Sequence, residues 1–167
     1  MRNRSILALL WSVFVLSAQE KKPELKFADA WVKNFQWRPI GPASMGGRIV
    51  DLEVVEKDPV HFYIATASGG LFKTTNNGTT FTPIFEQQNS VSIGDVAVSK
   101  SNPNILWVGT GEHNARNSVS WGDGVYKSTD AGKTWANMGL KKSFQIGRIA
   151  IHPTNPDIVY VGALGRL

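Results

Sequence analysis

Polar and apolar positions alternate in short runs along this chain, and the runs repeat. Leu52 and Val54 alternate with Asp51 and Glu53, a period of two that predicts a half-buried strand. Asp58-Pro59 then signals a turn, because proline cannot continue the ladder. Residues 61–66, 71–74 and 80–85 supply three more short segments with strand character. The order recurs with Val96 and Val98, Asn102-Pro103, and residues 105–110, 125–128 and 134–138. It starts a third time with Ile149 and Ile151, Asn155-Pro156 and Tyr160. Four residues after each proline stands an aromatic (Tyr63, Trp107, Tyr160), and two further on a small residue (Ala65, Gly109, Gly162). The prolines lie 44 and 53 residues apart, and no segment of 33–167 carries a 3.6-residue period. Four short strands per repeat of about 40 to 55 residues predict an all-β fold, a β-propeller of four-stranded antiparallel blades rather than a sandwich.

Between the third and fourth predicted strands the chain repeats an octapeptide. It reads TTNNGTTF from Thr74 to Phe81 and STDAGKTW from Ser128 to Trp135. An Asx side chain accepts backbone N–H bonds from residues just ahead and closes a turn. Asn76 and Asp130 hold that place, Gly78 and Gly132 supply a left-handed backbone, and Thr80 and Thr134 follow. Phe81 and Trp135 are expected to pack back into the blade. A motif needed once per blade is structural, not catalytic.

Ser128-x-Asp130-x-Gly132-x-Thr134-Trp135 resembles the Asp box of bacterial-neuraminidase-type repeats. The copy at Thr74 departs from it at three places: Thr74 for Ser, Asn76 for Asp, Phe81 for Trp. The segment from Trp37-Arg38-Pro39 to Leu164, with Gly109-Thr110-Gly111-Glu112 and residues 120–126, resembles sortilin N-terminal-like propellers of secreted bacterial proteins. Two blades are complete at about 43–86 and 91–139, and a third, 144–167, is incomplete. A propeller closes with four or more blades, so the chain is expected to be the N-terminal part of a longer protein, or else a short chain that builds a ring from copies.

Composition changes this picture little. The chain has 167 residues and no cysteine, so stability rests on packing. Arg2 and Arg4, the apolar run 6–16 and Ser17-Ala18-Gln19 read as a signal peptide over 1–18, followed by an extension over 19–34 and the propeller over 35–167. A first strand is expected around 35–40, and the protein is expected to be secreted or periplasmic, with no membrane span after cleavage. The formal charge of +5 drops to +3 with the leader, and no basic run interleaves with aromatics, so no nucleic-acid partner is expected.

Blade topology puts the loops before each first strand and between second and third strands on one face, where propellers of this kind bind. That loop face takes in residues 42–48, 67–69, 110–122 and 143–148, including a 10-residue insertion in the second blade. The candidate ligand residues are Arg48, Glu112, His113, Asn114, Arg116, Trp121 and Arg148. Glu112 suits acid–base work or simply shapes its loop. Arg48 and Arg148, each after a glycine, suit a carboxylate or pairing with Asp51, Glu53 or Asp95. Trp121 suits a sugar ring or a wedge against its neighbour, Asn114 and Asn117 suit turns, and Asp123 between two glycines suits a turn. His113 stands alone, so no metal is expected, and no cofactor. The resemblance implies three function classes. Endo-xyloglucanases of the Asp-box type carry a catalytic Asp in Thr-Asp-Ile-Gly-Gly, where this chain has Thr66-Ala67-Ser68-Gly69-Gly70. Ala67 can neither give nor take a proton. The reading therefore favours an exported binding module for a peptide, protein or glycan, without catalytic residues, over a sialidase- or xyloglucanase-type glycosidase or an assembly scaffold.

Overall fold

The computed structural model describes residues 47–114 and 119–165. The proposed leader, the 19–34 extension, the strand at 35–40, Arg116 and Asn117 lie outside them. All regular structure among the described residues is strand. Blade 1 is an antiparallel sheet of β1 (Ile49–Val54), β2 (Phe62–Thr66), β3 (Gly70–Thr74) and β4 (Thr82–Pro83). Blade 2 repeats it with β5 (Ile93–Val98), β6 (Leu106–Thr110), β7 (Val125–Ser128) and β8 (Ala136–Gly139). The start of blade 3 is the pair β9 (Ile146–Ile151) and β10 (Val159–Ala163). The molecule is thus an all-β partial propeller, as the strand pattern predicts. Its innermost strands β1, β5 and β9 lie side by side.

The period of two sorts side chains between neighbouring blades. From blade 1, Tyr63, Ala65 and Leu71 meet Val96, Val98, Leu106, Val108 and Tyr126 of blade 2, with Phe85 from the connecting segment between them. From the other face of blade 2, Ala97 and Val125 meet Ile146 and Ile149 of blade 3, with Trp107 and Val159 at the margin. The outer face of β1 leaves Ile49, Leu52 and Val54 exposed, and Tyr160 of β10 is exposed too. Each first strand carries a bulge at the same place, beside Val50, Gly94 and Gly147. A side chain at Gly94 is impossible, because its Cβ would sit 2.0 Å from the Ile146 carbonyl oxygen.

Both octapeptides close as tight turns. Asp130 Oδ1 accepts N–H bonds from Lys133 (3.0 Å) and Thr134 (2.9 Å), and Oδ2 accepts the Thr134 hydroxyl at 2.6 Å. Asn76 repeats the Oδ1 bond to Thr80 N–H at 2.9 Å, and its amide donates to Thr80 Oγ1. Residues Asn77-Gly78 and Ala131-Gly132 are left-handed, with φ between 55° and 86°. These bonds consume Thr80 and Thr134, so the fourth strands start at Thr82 and Ala136, two residues later than the sequence suggests. The second turn also ties the blades together. Trp135 packs edge-on against Phe85, and its Nε1–H donates to the Ile84 carbonyl at 2.7 Å. Its ring therefore reaches the preceding blade rather than only its own.

The hydrogen bonds from Thr134 and the Lys133 and Thr134 amides pull the Asp130 carboxyl down to about 2. A depressed carboxyl stabilises the fold above its ordinary range near 4 and loses that contribution as pH falls through about 2. Asp130→Asn should therefore melt closer and closer to wild type as pH drops from 4.5 to 2, by circular dichroism. A gap constant over that window would show that the Asp130 charge contributes nothing.

Candidate functional site

The loop face is organised around two threonines at equivalent places. In blade 1, Thr66 Oγ1 donates to the Gly70 carbonyl (2.8 Å) and accepts Gly69 N–H (2.9 Å), closing the loop that holds Ala67. In blade 2, Thr110 Oγ1 donates to Gly124 O (2.7 Å) and accepts Asp123 N–H (2.9 Å). The insertion hangs from the same lock, between Thr110 and Asp123. Asp123 holds the base, accepting the Tyr126 hydroxyl at 2.6 Å, which fits the turn role read from its glycine neighbours.

Backbone bonds then fasten the insertion to the loops on either side. Gly111 N–H donates to Ser92 O and Gly122 N–H to Phe144 O, both at 2.8 Å. A Cβ at Gly111 would fall 1.8 Å from Phe144 O, so only glycine fits there. Ser92 reaches both ends of the insertion: its hydroxyl accepts Glu112 N–H (3.0 Å) and donates to Ser120 O (3.1 Å). Ala67 N–H donates to Arg48 O at 3.0 Å, placing blade 1's loop beside its own first strand.

The Glu112 carboxylate is buried and ion-paired with the Arg48 guanidinium, which is one third exposed. This pair bridges blade 1 and the insertion, and it occupies the carboxylate. His113 Nδ1 lies 3.0 Å from Gly94 O, which accepts a hydrogen bond when the ring carries a proton on Nδ1. Asn114 is exposed. Trp121 is half exposed, its ring 5.4 Å from Phe144 at an interplanar angle of 59°. Together they form an aromatic surface at the edge of the face. Arg48, Glu112, His113 and Trp121 are therefore brought to one face. Arg148 is not with them. It lies within β9, opposite Gly162, not in the loop before it, and its exposed guanidinium is 3.5 Å from Asp95 Oδ1. Its preceding glycine forms the bulge, so the two Gly-Arg pairs occupy different levels of the blade. Among the described residues, no group of three or more His, Asp or Glu is arranged to hold a metal ion.

Sequence reasoning missed the row of carboxyls between inner strands. Asp51 Oδ2 accepts Val96 N–H at 3.0 Å, and Asp95 Oδ2 accepts Ile149 N–H at 2.6 Å. Burial raises the Asp95 carboxyl to about 7, against the Ile149 amide bond; the neighbouring Asp51 raises it further and Arg148 opposes. Burial also raises Glu53, which reaches Val98 N–H. The signal was present, since Asp51 and Asp95 each stand eight residues before their proline. A second missed series lies further out. Lys73 sits over the Tyr63 ring and donates to Ala131 O of the next blade, and Lys127 sits over Trp107 and pairs with Asp157 of blade 3.

No family model matches the chain. Among curated proteins it is similar to an oligoxyloglucan-reducing end-specific xyloglucanase of Emericella nidulans, 32% identical over 111 residues, which cover 62% of this chain and 13% of that protein. Among solved structures it is similar to an ancestral GH74 enzyme, with a TM-score of 0.57 and 20% identity over 69% of this chain and 16% of that one. It also matches the GH74 enzyme of Niastella koreensis, with a TM-score of 0.45 and 25% identity over 60% of this chain and 15% of that one. The chain thus spans about one seventh of the proteins it matches. The likeness to the ancestral enzyme shows the propeller fold. The similarity to the xyloglucanase overturns the sequence-based preference for a sortilin-like binding module. That preference rested on Ala67, and one absent carboxyl in a five-residue loop says nothing about carboxyls elsewhere in a longer protein.

Removing the Arg48 guanidinium strands a buried carboxylate. Breaking such a pair from one side costs about 3–5 kcal/mol when both partners are buried, and less when one is partly solvated. Arg48→Met should lower stability by about 2–3 kcal/mol in urea unfolding, and adding Glu112→Gln should restore most of it. Equal loss in the single and double variants would show that the pair does not couple the two loops.

Proposed function

We propose that this chain is part of a xyloglucanase-type glycoside hydrolase propeller, and that its loop face lines the cleft for a β-glucan chain. The observation that carries this reading is the 32% identity over 111 residues with the oligoxyloglucan-reducing end-specific xyloglucanase. The octapeptides at Thr74 and Ser128 are read as Asp boxes, with the hydrogen bonding of the two turns in support. The blades are taken as 43–86, 91–139 and 144–167, with 1–18 as an export signal, which suits an enzyme that meets polymeric substrate outside the cell.

In this reading the segment binds and orients glycan, and the proton-transfer groups come from elsewhere in the protein. Glycoside hydrolysis typically needs two carboxyl groups flanking the scissile bond. Ala67 provides none, and Glu112 is held by Arg48. Trp121, with Phe144 beside it, offers an apolar surface for a pyranose ring, while Arg48, His113 and Asn114 offer polar contacts for hydroxyl groups. Arg148, whose exposed guanidinium lies 3.5 Å from Asp95, is left out of these contacts.

The full-length protein should release reducing ends from xyloglucan and leave sialosides untouched. Trp121→Ala should raise KM for xyloglucan oligosaccharides about tenfold or more, the loss of one aromatic contact of about 1–3 kcal/mol, with kcat much less affected. Absence of turnover and of binding on xyloglucan, with the protein folded, would contradict the proposal.

A further inference from the structure

The residue before each inner strand holds the same place in its blade. Ile49, Ile93 and Ile146 open β1, β5 and β9 opposite Thr66, Thr110 and Ala163. Arg48, Ser92 and Gln145 precede them. Each offers its carbonyl to the residue that leaves the second strand. Ala67 N–H donates to Arg48 O and Leu164 N–H to Gln145 O at 3.0 Å, and Gly111 N–H to Ser92 O at 2.8 Å. In blades 1 and 2 the side chain at this place also fastens a loop joining a second strand to a third. Arg48 pairs with Glu112, while Ser92 accepts Glu112 N–H and donates to Ser120 O. Gln145 is fully buried, yet among the described residues neither its amide nitrogen nor its amide oxygen has a hydrogen-bond partner. A buried amide without partners is costly, so native folds supply them. The described residues run to Gly165, at the start of the loop that follows β10.

The neighbouring backbone is strained. Phe144 is left-handed, with φ 59°, a conformation that a bulky aromatic keeps only where its surroundings hold it. On one side its carbonyl accepts Gly122 N–H at 2.8 Å and its ring lies beside Trp121, both from the insertion. We propose that Phe144-Gln145 is a strap between two loops, and that the Gln145 amide holds the backbone of the loop following β10, donating to a carbonyl and accepting an N–H there. This inference rests on the reading of the chain as part of a longer propeller. Ser92 makes both kinds of bond with one hydroxyl, and an amide offers a donor and an acceptor side by side. Gln145 is then a positioning residue. It sets the blade 3 loop beside the insertion, on the face that carries Trp121.

Gln145→Met in the full-length protein tests the strap by the sign of its effect, because Met keeps a similar volume and removes both polar atoms. The strap predicts a lower midpoint in thermal unfolding, with hydrogen exchange about tenfold faster in the peptide that follows Ala163 and level in peptides of blade 1. An amide without partners predicts the reverse, since replacing it by an apolar group relieves a buried polar cost. A midpoint at or above wild type, with exchange after Ala163 unchanged, would therefore overturn the strap. If the variant does not fold, a crystal structure of the wild-type protein decides. Gln145 nitrogen and oxygen each within about 3.2 Å of backbone atoms beyond Leu164 support the strap, and bonds to water alone refute it. Neither readout involves a glycan. A folded protein inert toward xyloglucan would thus overturn the proposed function and leave the strap standing.

Discussion

The whole arrangement depends on how a small sheet disposes of its inner edge. A four-stranded antiparallel blade can bury both apolar faces against neighbours, but its first strand still presents unpaired amides toward the centre. Here carboxyls from the preceding blade accept them, Asp51 for Val96 and Asp95 for Ile149. Blade stacking is thereby directional: each inner strand caps the next. The apolar layers around Leu106 and Ile146 supply burial, while the carboxyls set the register between blades. Outside that ring, Lys73, Lys127 and Trp135 make the same step from one blade to the next.

The same stacking builds the loop face. Loops before β1, β5 and β9 are held beside one another because the strands are. The insertion after β6 can then be pinned by its neighbours on both sides. Gly111 and Gly122 lie so close to surrounding backbone that any side chain would displace them. Arg48 and Glu112 add an ion pair across the blade junction. An insertion fixed in this way holds Trp121 against Phe144 at the edge of the loop face.

Much of the fold was legible because strands leave a period-two signature and the Asx-Pro turns mark where each ends. The octapeptides were equally plain, since a closed Asx turn needs its residues in fixed order. The late start of the fourth strands was not, because hydrogen bonding by Thr80 and Thr134 depends on geometry that a propensity pattern does not carry. The gathering of these loops on one face was legible from topology, whereas the pairing inside it was not. Arg48 and Arg148 look alike in sequence, each after a glycine, yet one precedes a bulge and the other follows it. Glu112 reads as a candidate acid until its partner, 64 residues earlier in the chain, is seen. The weight given to Ala67 led the functional reading toward a binding module, an inference from one side chain that a 111-residue similarity outweighs.

The central claim is that a propeller stacked through these inner carboxyls presents a glycan surface on its loop face. A crystal structure of the full-length protein soaked with a xyloglucan oligosaccharide tests it most directly. The account predicts sugar rings over Trp121 and Phe144, on the side that carries Arg48 and the insertion. An oligosaccharide seated at the opposite face, against the octapeptide turns, with the Trp121 surface bare, would contradict it.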